Sequence, residues 1–187
     1  MSTNLAIKIF ILFTFEESTY FSVIVASQLY KRVLKSNETL YNADILEKLA
    51  NLKGREKKYD KASVLLEETL RIRIKILGME NKSVALALFS LGILFSQKNE
   101  YDAALKIFTD CLLIQKQCIG SASPQTADTL HAIGQCIANN GDYLNAVSIW
   151  NEAYEIYVKD EGCAAKLKAL KYDLDTGYKK LHKQNSI

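Results

Sequence analysis

The chain has 187 residues, 49% hydrophobic and 24% charged, with one proline and a formal net charge of +3. Those values suit one globular or repeat domain with enough apolar material for a continuous core. They exclude a strongly basic chain built for nucleic acid, and no long block of like charges appears anywhere in it.

In chain order, the first feature is the apolar run NLAIKIFILFTF, residues 4–15, followed at once by Glu16 and Glu17. It is too short to span a bilayer. Nothing basic precedes it and bulky, acidic residues follow it, unlike the positive start and small-residue cleavage site of a signal peptide. A packed helix is expected here, with a signal or anchor, or a segment that orders only on a partner, as the alternatives. Residues 20–36, YFSVIVASQLYKRVLKS, align with a long second helix of the units described next, and residues 1–42 are read as degenerate helices.

From residue 43 the chain lines up on itself. Tyr59, Tyr101 and Tyr143 are 42 residues apart, as are Ala62, Ala104 and Ala146, then Leu66, Phe108 and Trp150, then Gly78, Gly120 and Gly162. Four columns in one register at such a period signal a stacked repeat array. Three units follow, at about 43–78, 83–120 and 124–160.

Each unit holds two helical patterns. In the middle one, Val84, Leu88, Leu91 and Phe95 recur at helical steps, QKNE interrupts, and Ala104, Leu105, Phe108, Leu112 and Leu113 resume. The spacing predicts helices over about 83–97 and 101–118. Gly78 and Gly120 stand where a residue of positive φ would end the long helix. Ser123 and Pro124 form an N-cap and first-turn pair. Gly92 and Gly134 leave room for the second helix of their own unit, and Leu66, Phe108 and Trp150 fill the seam to the next, so that stacking supplies the core.

Beyond the third unit, Leu167, Leu170, Leu174, Tyr178 and Leu181 form one apolar stripe with lysines opposite, so residues 161–187 are read as a terminal capping helix and tail. Gly177 inside the stripe is expected to weaken it, with fraying beyond. Cysteines 111, 118, 136 and 163 make no C-x-x-C pair. They are expected to be free thiols buried in helices of a reducing, cytoplasmic compartment, with no metal bound.

The ordered positions Leu88, Leu91, Gly92, Phe95, Tyr101, Ala104 and Phe108 resemble the tetratricopeptide repeat signature. Leu130, Ile133, Gly134, Ile137, Gly141, Tyr143, Ala146, Trp150 and Ala153 repeat it. The first unit carries Lys53 and Lys57 where an aromatic and a glycine are usual. The 42-residue period and the joints at Gly78 and Gly120 are similar to the kinesin-light-chain subtype, although its paired first-helix asparagines are replaced here. The resemblance implies an all-α fold, a right-handed α-α superhelix of antiparallel helix pairs.

It also implies a concave groove lined by the first helices. By position, its residues are Asp44, Glu47 and Asn51, then Leu86, Phe89 and Ile93, then Asp128, His131 and Gln135. An apolar strip would lie between two polar, partly acidic ones. Glu47 is expected to repel a ligand's terminal carboxylate, and Asp128 to hold His131. No phosphate loop, nucleophile elbow or paired-histidine motif appears, so neither enzyme activity nor a cofactor is expected. The expected function is a scaffold holding a protein or peptide partner, with no role for nucleic acid or membrane. The alternatives are a groove covered by the N-terminal segment or a second copy of the chain, and a regulatory or cargo-binding subunit of a larger motor or enzyme assembly.

Overall fold

A computed structural model describes residues 39–184, so the expectations for residues 1–38 lie outside the described residues. Over that span the chain is all-helical. It forms α1 (Leu40–Arg55), α2 (Tyr59–Leu77), α3 (Lys82–Gln97), α4 (Tyr101–Cys118), α5 (Pro124–Asn139) and α6 (Tyr143–Tyr157). A 3-10 turn (Glu161–Cys163) then leads into α7 (Ala164–Gln184). The helices pack as consecutive antiparallel pairs, each also touching the next.

The first helix of each pair starts on a side-chain cap. Thr39 accepts from the Asn42 N–H, Asn81 from that of Ser83 and Ser123 from that of Thr126, and Pro124 opens α5 without losing a bond. The turn inside each pair is the same structure three times. Lys57, Asn99 and Gly141 hold φ of 58°, 61° and 91°. The following N–H of Lys58, Glu100 and Asp142 reaches back to the carbonyls of Lys53, Phe95 and Ile137. This closure needs a left-handed residue, which only the third pair supplies as glycine.

Gly78 and Gly120 end the long helices at φ of 82° and 104°. Gly162 shares their column but not their role. It sits in the 3-10 turn without positive φ, its N–H donating to Asp160 Oδ1 at 2.8 Å.

The large-on-small columns make the core. A Cβ at Gly92 would stand 2.5 Å from the Phe108 ring, and one at Gly134 would run into the Trp150 indole. Each ring therefore lies on its own pair's glycine, and its other side meets the next element. Phe108 meets Ala132, Ile133 and Cys136; Trp150 meets Leu170 and Leu174. Leu66 fills the first seam against Leu91 and Leu94.

Gly177 departs from its expected role. A Cβ there would stand 2.7 Å from Val147 and 3.1 Å from Trp150, so the glycine lets α7 close onto α6, and the helix continues to Gln184. The reason is tertiary: packing against a fixed indole outweighs the backbone entropy that glycine costs.

α7 occupies the place of a fourth first helix. Continuing the 42-residue register, Leu88 and Leu130 are followed by Tyr172, Leu91 and Ile133 by Asp175, and Phe95 and Ile137 by Lys179. Tyr172 is 73% exposed and Lys179 pairs with Asp175 at 2.6 Å, so the face that would receive another helix is polar.

Candidate partner-binding groove

The expected groove residues lie on the first helices, and the three pairs treat them differently. On α1, Asp44 Oδ1 and Glu47 Oε2 both accept from Arg73 Nη2, each at 2.8 Å. The Arg73 side chain, only 7% exposed, also donates to the Ser83 carbonyl at 3.1 Å. Burial works against the guanidinium charge, but the bonds to Glu47 and Asp44 outweigh it and raise its pKa. Glu47 further accepts from Ser90 Oγ at 3.2 Å. These two acids are thus paired within the chain.

On α5, Asp128 accepts from the Tyr157 hydroxyl at 2.6 Å and from Lys166 Nζ at 2.7 Å. Burial, then the bond to Asp128, drives the Tyr157 pKa up. His131 is not held by Asp128, contrary to expectation. Its Nε2 lies 2.7 Å from Asp173 Oδ2, which also accepts from Gln135 Nε2 at 3.1 Å. Burial alone would raise the Asp173 pKa, yet the His131 and Gln135 bonds outweigh it and hold the carboxyl below its ordinary value. The difference arises because α7 lies beside α5 and brings Asp173 to the imidazole, while Tyr157 and Lys166 take Asp128.

On α3 the side chains are apolar. Leu86 is 41% exposed, and Phe89 and Ile93 are half-buried. The Phe89 ring centroid lies 5.7 Å from that of Phe108. A cleft of about 420 Å³ opens between α1 and α3, walled by Lys48, Asn51 and Arg55 on one side and Ser90, Ile93 and Gln97 on the other, over Ala50 and Leu94. It unites only two of the nine expected residues, Asn51 and Ile93.

The residues not anticipated share a column of their own. Arg73, Gln115 and Tyr157 are 42 residues apart and all buried. Arg73 and Tyr157 reach acids of their own pair. Leu86 and Phe89 offer Gln115 nothing, so its Oε1 accepts from Thr129 of the next pair at 2.8 Å. The period was readable, but three different residue types obscure a common reach.

Cys111, Cys136 and Cys163 are buried, whereas Cys118 is exposed, and burial pushes the Cys111 thiol up to about 11. Among the described residues, no group of three or more His, Cys, Asp or Glu could hold a metal ion, and no helix is long and apolar enough to cross a membrane.

A tetratricopeptide repeat family model matches residues 41–117. No curated protein matches the chain. Among solved structures, BtubC (BKLC) from P. vanneervenii is similar at 22% identity and a TM-score of 0.74, over 84% of this chain and 64% of that one. The present chain thus spans less than two thirds of BtubC. A Podosopora anserina protein of nearly identical TPR-like repeats, named for kinesin light chain, is 18% identical with a TM-score of 0.71, over 88% and 79% of the two chains. The Sgt2 TPR domain from Aspergillus fumigatus is 16% identical with a TM-score of 0.60, over 81% and 89%. At such identities the likeness carries the fold.

Proposed function

We propose that this chain, which a tetratricopeptide repeat family model matches over residues 41–117, is a non-enzymatic cytoplasmic scaffold of that family. Its three helix pairs, about 43–78, 83–120 and 124–160, hold a peptide or partner helix against their first helices. One observation carries the reading. Leu86, Phe89 and Ile93 leave apolar surface partly open on α3, while the acids flanking them on α1 and α5 are already paired within the chain. Apolar surface beside a cleft is where a peptide gains binding energy.

The variant that tests it is Leu86→Asp, because that side chain is exposed and its replacement leaves the core alone. Partners captured by the wild-type chain should be lost, with helical content unchanged. An unaltered set of partners from Leu86→Asp and from Ile93→Asp would sink the groove assignment.

A second reading is a regulatory or cargo-binding subunit of a larger motor or enzyme assembly, its groove filled intramolecularly. The contacts of α7 with Asp128 and His131 favour it, since this chain already covers part of one inner face itself. Size-exclusion with light scattering on cell extract separates the two, because a free monomer is incompatible with an obligate subunit.

A further inference from the structure

α1 opens the described array, and it carries the same stacking row as the first helices behind it. On α3 and α5 that row meets the second helix of the preceding pair, where Leu66 lies against Leu91 and Phe108 against Ile133. Each inserting residue stands 25 positions before its target. On α1 the row holds Leu46 and Leu49, 1% and 9% exposed, about as enclosed as Leu88 and Leu91 at 8% and 6%. Leu88 and Leu91 have α2 on one side and α4 on the other, whereas among the described residues only α2 packs extensively on α1. An apolar stacking row at the start of an array needs a helix ahead of it.

The chain itself supplies a candidate. Thr39, Asn81 and Ser123 cap α1, α3 and α5 at intervals of 42 residues, so α1 begins at the repeat's own starting point. The stretch outside the described residues ends directly at that cap. Within it, residues 20–36 place Ile24 25 positions before Leu49, and Ser27 in the column of Thr69, Cys111 and Ala153, which are small and fully buried.

From this placement we infer that residues 20–36 pack as a second helix on the outer face of α1, Ile24 against Leu49, so that the array continues ahead of α1. Tethered a few residues from that face, the segment outcompetes a second copy of the chain through its effective concentration. Residues held on α1 do not cover Leu86, Phe89 and Ile93, and so leave those side chains to another molecule. The inference does not depend on what that molecule is.

The test is disulfide trapping in the full-length chain, with Cys118→Ser removing the exposed native thiol. Under mild oxidation, Ile24→Cys/Leu49→Cys should close a bond within one chain, seen as a faster band on a non-reducing gel and located by mass spectrometry. Ser22→Cys/Leu49→Cys should not, because two residues turn the side chain by roughly 200° around a helix. Position 22 belongs to the exposed column of Val64, Lys106 and Ser148. Without oxidant, the thiol of Ile24→Cys should react with maleimide about tenfold more slowly than that of Ser22→Cys, the protection given by packing. Far-UV circular dichroism checks that each variant keeps its helices.

A bond between chains in place of one within a chain would put a second copy on α1. A bond from position 24 to Leu86→Cys, with none to Leu49→Cys, would put the segment in the groove. Equal bonding and equal labelling at positions 22 and 24 would deny a packed helix. Each result overturns the inference, and only the second also removes the groove as a partner site.

Discussion

The middle helix pair and the two that flank it share one backbone but present opposite inner faces. On α1 and α5, every acid expected to meet a ligand is bound by a neighbour: Asp44 and Glu47 by Arg73, Asp128 by Tyr157 and Lys166. On α3 the equivalent positions are Leu86 and Phe89, and nothing polar claims them. A charge on a groove-lining helix is therefore not by itself a charge offered to a partner. What counts is whether the second helix, or α7, has already neutralised it.

The largest expected effect comes from breaking the first pair's lock. Arg73→Met leaves Glu47 partly buried without its cation and should cost about 2–3 kcal/mol in urea unfolding, discounted because Asp44 is largely exposed. A change under about 0.5 kcal/mol, the range of ordinary surface substitutions, would mean that the three-way contact contributes no net stability.

The lock on the third pair is weaker and depends on pH. The Asp173 carboxyl sits below its ordinary value of 3.8 in the folded chain, so its contribution is present above that value and is lost as pH falls through the lowered one. Acid unfolding should loosen α7 first, below roughly pH 4. Asp173→Asn should flatten that part of the stability profile and cost about 1 kcal/mol at neutral pH. Hydrogen exchange along α7 at pH 3 and pH 6 would read it, and equal protection at both would remove the assigned role.

The smallest effect sharpens the first pair against the third. Lys57 holds a left-handed φ of 58° where the third pair has Gly141. Lys57→Gly should raise stability by about 0.5–1 kcal/mol, while Gly141→Ala lowers it by a similar amount. Thermal melts that move the same way in both variants would show that the turns are not equivalent.

Much of the array was legible because its determinants repeat. The helix limits of the middle pair, the positive φ of Gly78 and Gly120, the Ser123–Pro124 start and the glycines beneath Phe108 and Trp150 follow from columns that any stacked pair requires. Gly177, expected to weaken its helix, and Gly162, which shares a column with Gly78 and Gly120 without their φ, differ from the repeat's other glycines for one reason. Outside the strict repeat, the meaning of a glycine depends on what comes near it: an indole for one, a 3-10 turn for the other. The sequence placed the nine expected residues on the first helices, but it did not show which of them the chain itself pairs.

The sequence by itself determined the repeat and the helix pairing, since each rests on contacts renewed every 42 residues. The charge of the groove was decided only by the tertiary structure. Arg73 meets Asp44 across 29 residues, Lys166 meets Asp128 across 38 and Asp173 meets His131 across 42. Side chains from the second helices and α7 choose partners by three-dimensional reach, which a row read along the sequence does not carry.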